Sequence, residues 1–108
     1  MTSHVAVCTY RVRDGQDETF LALMREHAPT LRRLGLLAEE PSLLFQGKDE
    51  SGKTFVVEVL RWKSEEAPDL AEQMPDVLRI WEGIGKLVEA RLGRPAMEFP
   101  HMEEIARA

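Results

Sequence analysis

With a single cysteine, Cys8, the chain has no internal disulfide. Packing alone must hold it together, and a reducing, cytoplasmic setting is expected. Cys8 sits inside an apolar run and reads as a small core residue rather than a reactive thiol. Basic residues are in deficit, 14 Lys and Arg against 19 Asp and Glu for a net charge of -5, and they are interleaved with acids. No basic surface stands out to read phosphates, so nucleic acid is excluded as a partner. No apolar window approaches the roughly 18 residues of a membrane span, and no basic segment leads into an apolar one at the N-terminus. A protein without a membrane partner and without export is expected. Nor is there an internal repeat or low-complexity tract, and 108 residues fit one domain, residues 1–108, with one modest core.

What the chain does have is a run of β-branched and aromatic residues, Thr54 to Trp62, followed by Ser64 and two acids. This predicts a strand that passes at once into a helix capped by Ser64. Alternation places Val56, Glu58, Leu60 and Trp62 on one face and Phe55, Val57, Val59 and Arg61 on the other. Both faces are mainly apolar, so both need cover. Helices of the same chain can bury one, and a second copy of the protein is the expected cover for the other.

In chain order, His4 to Val12 is a strand closed by the turn pair Asp14-Gly15. From Gln16 to Leu34 the residues Phe20, Leu23, Met24, Leu31 and Leu34 form a helical stripe that includes His27. Pro29 predicts a kink near Ala28, and Gly35 ends the helix. After a linker, Leu36 to Pro41, the stretch Ser42 to Gln46 is a second strand, joined to the Thr54 strand by a glycine-containing loop as a hairpin. The helix from Ser64 should break near Met74, and Pro75 should open another whose face runs Val77, Ile80, Trp81, Ile84, Leu87, Val88, Arg91, Leu92 as far as Gly93. Gly83 and Gly85 inside it would suit a close approach of a backbone or ligand, or else mark fraying. Ala96 to Phe99 is a last strand, and the tail from Met102 would form a short helix or fray.

The order β-α-β-β-α-β is that of an α+β, ferredoxin-like domain, a four-stranded antiparallel sheet with its helices on one face. The sequence resembles the antibiotic biosynthesis monooxygenase family of dimeric α/β barrels in Arg13-Asp14-Gly15-Gln16 after the first strand, Gly35 after the first helix, and Trp62-Lys63-Ser64 with Glu66-Ala67 at the end of the third strand. The resemblance implies a homodimer through the open sheet face, and a pocket between sheet and helices for a small hydrophobic, aromatic molecule of phenol or quinol type. It implies oxygenation in which the substrate supplies the electrons, with no flavin, metal or other cofactor. The family's tryptophan maps onto Trp62, and an amide residue found in some oxygenases falls at Glu58.

Glu58, Trp62 and His27 are the candidate catalytic residues, and Tyr10, Trp62 and Trp81 the candidate substrate-binding ones. A carboxylate at Glu58 can accept a phenolic proton, although its charge would oppose a phenolate beside it. Its structural alternative is an ion pair with Arg11, Arg13 or another strand's cation. His27 would serve as a base or as hydrogen-bonded packing, and Tyr10 would bond a substrate oxygen or sit with its hydroxyl at the rim. Trp81 would wall the cavity or pack the core, and His101 reads as exposed. Haem degradation is rejected: the positions matching that branch's histidine, tryptophan and asparagine hold Trp81, Ala71 and Cys8, leaving only a rotated His27 to ligate iron. The alternative to an enzyme is a non-catalytic dimer that holds a hydrophobic small molecule, in a binding or stress-related role.

Overall fold

The computed structural model describes residues 4–106. Its elements are β1 (His4–Arg11), α1 (Asp17–Arg33), β2 (Leu43–Lys48), β3 (Thr54–Trp62), α2 (Ala67–Ala71), α3 (Pro75–Lys86), β4 (Met97–Glu98) and β5 (His101–Met102). The sheet is antiparallel in the order β2-β3-β1-β4, and β5 extends the β4 edge along β1. The expected α+β, ferredoxin-like order of elements is present.

Register assigns the two faces. Tyr10 pairs with Val56, Cys8 with Glu58, Ala6 with Leu60 and His4 with Trp62. Ala6, Cys8, Tyr10, Val56, Leu60 and Trp62 are buried and form the core with Phe20, Met24 and Leu31 of α1 and Val77, Ile80 and Ile84 of α3. The other face presents Val7, Val57 and Val59 only partly buried, with Leu43 at 50% and Phe45 at 55% exposure on β2. It is the apolar face expected from the alternation in β3; Glu104 of the tail reaches Arg61 at one end, and among the described residues its β2 side is open.

Several boundaries depart from expectation. Helix α1 runs through Pro29 without interruption. Pro29 and Arg25, whose carbonyl loses a partner, both lie on the exposed side, where water replaces the missing amide. Ser64 does not cap a helix: α2 starts at Ala67, with Glu66 as its N-cap and a proline in its first turn, and Ser64 contributes only a carbonyl to Ala67 N–H. A proline is pre-set for a first turn, so helical geometry begins there. Met74 is extended and Pro75 opens α3, as the break at that point requires.

Helix α3 ends at Lys86 rather than near Gly93. Val88 instead bridges Val12 in antiparallel fashion, and Arg13 N–H and Glu89 N–H bond across to Leu87 and Arg11 carbonyls. Leu92 and Gly93, both at positive φ, turn the chain back so that Arg91 pairs with Arg94, and Leu92 is 51% exposed instead of belonging to a helix face. Gly83 does mark a close approach, since a Cβ there would lie 2.8 Å from Leu23 Cδ1 of α1, whereas Gly85 has open space around it. Strand β2 runs two residues past the expected Gln46. The supposed linker docks on β3, with Leu36 and Leu37 buried and Leu37 bridged to Trp62. At the far end the last strand is split by Pro100, and His101 and Met102 pair with Ala6 and Val5 rather than starting a helix. The residues after Met102 have no regular structure up to Ala106, and residues 107 and 108 of the expected tail lie outside the described part.

Candidate functional site

Four side chains from four elements meet under the sheet. Glu58 projects from β3 into the helix-covered layer because its strand alternation puts it there, beside Val56 and Leu60. It is 2% exposed, so it requires donors. Tyr10 O–H, two residues on from Cys8, which pairs with Glu58, donates to Glu58 Oε1 at 2.9 Å. His27 occupies the buried stripe of α1, and its Nδ1 lies 2.9 Å from Glu58 Oε1 and 3.1 Å from Oε2. From α3, Trp81 Nε1–H donates to His27 Nε2 at 2.9 Å, the rings meeting edge to face.

The chemistry of these partners fixes the tautomer. An indole nitrogen only donates and a carboxylate only accepts, so His27 carries its proton on Nδ1 and presents a lone pair at Nε2. The row is therefore Tyr10, Glu58, His27, Trp81, each bond pointing one way. Both ring nitrogens are thus engaged within the protein. The expected ion pair of Glu58 with Arg11 or Arg13 does not form. Arg11 pairs with Phe55 in the register, which sets it on the opposite face, and there it bonds Pro95 O and Glu98.

Next to this row lies a cavity of 310 Å³ whose wall includes Ala6, Cys8, Tyr10, His27, Leu60, Trp62, Trp81 and Ile84, with Met97, Phe99, His101, Pro68 and Glu72 nearer the surface. Four of the five candidate residues thus line one space. Glu58 does not; it stands one side chain behind, reached through Tyr10 and His27. Tyr10 has its hydroxyl buried on Glu58 rather than at the rim. Trp62 is 6% exposed, and its Nε1 has no hydrogen-bond partner, the sole buried side-chain nitrogen or oxygen in that state among the described residues.

The buried carboxylate colours the site. Burial, and then the charge of Glu58, pushes the Cys8 thiol up to about 12 and the Tyr10 phenol well above the ordinary tyrosine value. Neither ionises near neutral pH, so Cys8 is an inert part of the wall. A second hollow, 340 Å³ beside the start of β3, is lined by Asp14, Asp17, Glu18, Lys48 and Lys53 among other polar or glycine residues. It lacks apolar walls, and its polar groups already serve one another, Lys48 bonding Thr54 and Thr54 bonding Asp17. The sequence-predicted site residues gather at the first cavity instead.

Sequence reasoning missed the outer wall. Phe99 and His101 lie on either side of Pro100, and Phe99 packs edge-on to Tyr10 at 5.9 Å. The proline was the available signal, because it splits the edge strand and lets the second half pair with β1 beside the cavity. His101 is exposed, as read, but it stands at the cavity mouth. Among the described residues no group of three or more His, Cys, Asp or Glu is placed to hold a metal ion, and no helix is long and apolar enough to cross a membrane.

No protein-family model matches the sequence, and no curated protein matches it either. Solved structures do match over nearly the whole chain. A protein described as an antibiotic biosynthesis monooxygenase superposes with a TM-score of 0.71 at 16% identity, over 95% of this chain and 99% of its own. PA3566 from Pseudomonas aeruginosa gives 0.73 at 16% identity, over 98% and 97% of the two chains. SnoaB from Streptomyces nogalater, described as a cofactor-independent oxygenase, gives 0.66 at 17% identity, over 100% and 96%. At these identities the likeness establishes the fold: the chain has the antibiotic biosynthesis monooxygenase fold.

Proposed function

We propose, starting from a chain with the fold of proteins described as antibiotic biosynthesis monooxygenases, that it is a cofactor-independent monooxygenase. Its substrate is a small aromatic molecule with a phenol or quinol hydroxyl, bound between sheet and helices. The observation that supports this reading is the placement of His27 between a buried carboxylate and an aromatic-walled cavity. A carboxylate facing the substrate would repel a phenolate. With His27 interposed, the phenolic proton passes to Nε2, and charge then alternates from Glu58 carboxylate to imidazolium to phenolate. Tyr10 and the Nδ1–H bond hold the carboxylate in place, and Trp62 contributes an aromatic wall.

The phenolate is the electron donor. One dioxygen molecule takes four electrons from it; one oxygen atom becomes a carbonyl on a ring carbon that carries two hydrogens in the keto tautomer. The other oxygen leaves as water with those hydrogens. Substrate supplies every electron, so the scheme calls on no flavin or metal, and the apolar cavity keeps the radical pair from bulk water.

Oxygen uptake with a panel of quinols and hydroxylated polycyclic compounds tests the reading. Turnover should survive chelator and flavin-free preparation, and fall at least about a hundredfold in His27→Asn, recovering as pH rises and the phenol ionises unaided. Unchanged turnover in folded His27→Asn would overturn it. A non-catalytic binder is favoured by one observation: both nitrogens of His27 are already engaged within the protein. No uptake, together with ligand-induced thermal stabilisation, would decide for the binder.

The same proposal seats a second copy of the chain on the outer sheet face, where Leu43 and Phe45 are about half exposed beside Val57 and Val59. Mass in solution should be that of a dimer at micromolar concentration and that of a monomer in Phe45→Glu; a wild-type monomer would remove the partner.

A further inference from the structure

The base invoked above is masked. Neutral His27 has one lone pair, at Nε2, and Trp81 Nε1–H occupies it at 2.9 Å. A ligand hydroxyl reaches that lone pair only when the indole N–H leaves. Trp81 is half-buried on α3 and lines the cavity, so its N–H has water within reach once displaced, whereas Nδ1 of His27 is tied to a fully buried carboxylate. The bond to Trp81 is the one in the row that can be exchanged without burying an unpaired group.

We infer that Trp81 is an exchangeable cap on His27, a positioning residue whose N–H holds the imidazole in the free protein and gives way to the hydroxyl of a bound aromatic ligand. The inference rests on the reading of His27 as the group that meets the ligand hydroxyl. It adds a rule of selection. An apolar ring or an aryl ether fills the cavity but brings no donor for Nε2, so the cap stays on and the base stays masked. Only a hydroxylated ring exchanges one donor for another. Trp81 thereby links recognition of the hydroxyl to exposure of the base.

Two tryptophans give two indole N–H signals in a nitrogen-15 correlation spectrum, and Trp81→Phe assigns them while keeping an aromatic wall. The probes are 1-naphthol and 1-methoxynaphthalene. In the wild type, saturating 1-naphthol should shift the Trp81 signal away from its imidazole-bonded position, and the ether should leave it in place. Trp81→Phe should tighten 1-naphthol about threefold to tenfold, the worth of one competing hydrogen bond, and change the ether by less than about twofold. A Trp81 signal unmoved at saturation, equal changes for both probes, or failure of 1-naphthol to bind either protein would overturn the inference. Oxygen uptake is scored separately. An exchanging cap without uptake sinks the oxygenase and keeps the cap, while uptake with a static Trp81 does the reverse.

Discussion

Removing the carboxylate of Glu58 is the most exacting test of how the interior is held together. In Glu58→Ala, Tyr10 O–H and His27 Nδ1–H lose the acceptor they share at 2.9 Å, in a place where Glu58 is 2% exposed. A hydrogen bond to a charged group contributes about 1.5–3 kcal/mol, so the loss of two should be about 3–6 kcal/mol. At about 4–8 °C per kcal/mol for a domain of this size, the melting temperature should fall by about 12–48 °C. That is a large part of a total stability of about 5–15 kcal/mol. Tyr10→Phe removes one donor and leaves the carboxylate on His27, and should cost about 1.5–3 kcal/mol. In the double variant the hydroxyl that Glu58→Ala would strand is gone, so the combined cost should be at least about 1 kcal/mol less than the sum. Urea denaturation of the four proteins, with slopes compared to confirm the same transition, gives the cycle. A Glu58→Ala midpoint equal to the wild type, or strict additivity, would show that the carboxylate does not hold its neighbours and would refute the geometry on which the proton transfer rests.

Alkali should weaken the fold, because the unfolded chain releases the Cys8 proton above its ordinary value of 9.0 while the folded chain keeps it to about 12. Stability is then whole below pH 9 and declines by up to about 1.4 kcal/mol per pH unit above it, with Tyr10 adding to the loss at still higher pH. Denaturation midpoints from pH 8 to 11 should show this, less steeply in Cys8→Ala, and fast alkylation of Cys8 in folded protein at pH 8.5 would contradict it. Gly85→Ala, with nothing near its new methyl, should gain about 0.5–1 kcal/mol, and Leu92→Asn about the same because asparagine tolerates a φ of 55°; calorimetry checks both. Arg91 donates to Asp49 at 2.6 Å and to the Val12 and Thr54 carbonyls at 2.8 and 2.6 Å, so Arg91→Met should cost about 2–4 kcal/mol, and Arg91→Lys, lacking the fork, should recover less than half by the same assay.

Periodicity was enough for the layers. The alternation in Thr54 to Trp62 and the stripe from Phe20 to Leu31 state which side chains face inward, and they brought Tyr10, His27, Trp62 and Trp81 to one cavity. Periodicity cannot report a partner. That Glu58 would meet His27 rather than an arginine depends on the depth of α1 over the sheet, a distance no local pattern contains. The end of α3 was misread because Leu87, Val88 and Arg91 satisfy both a helical stripe and a strand-like return. The choice was made by bonds to Val12 and Arg11, far off in sequence. Pro29 does not interrupt its helix, since the cost of a proline depends on which side of the helix meets water.

The central strands are secured unequally along their length. Past the end of β1, a guanidinium with 9% of its surface exposed rivets Val12, Thr54 and the hairpin loop together. The outer edge of β1 is closed only by ladders of two residues each, β4 against Thr9 and Tyr10 and β5 against Val5 and Ala6, separated by a proline. Local opening should gather at that lightly stitched border, beside Phe99 and His101, and amides there should exchange with deuterated solvent long before those of β3. A guest can then slip in and out past a yielding seam while the load-carrying half of the sheet stays shut.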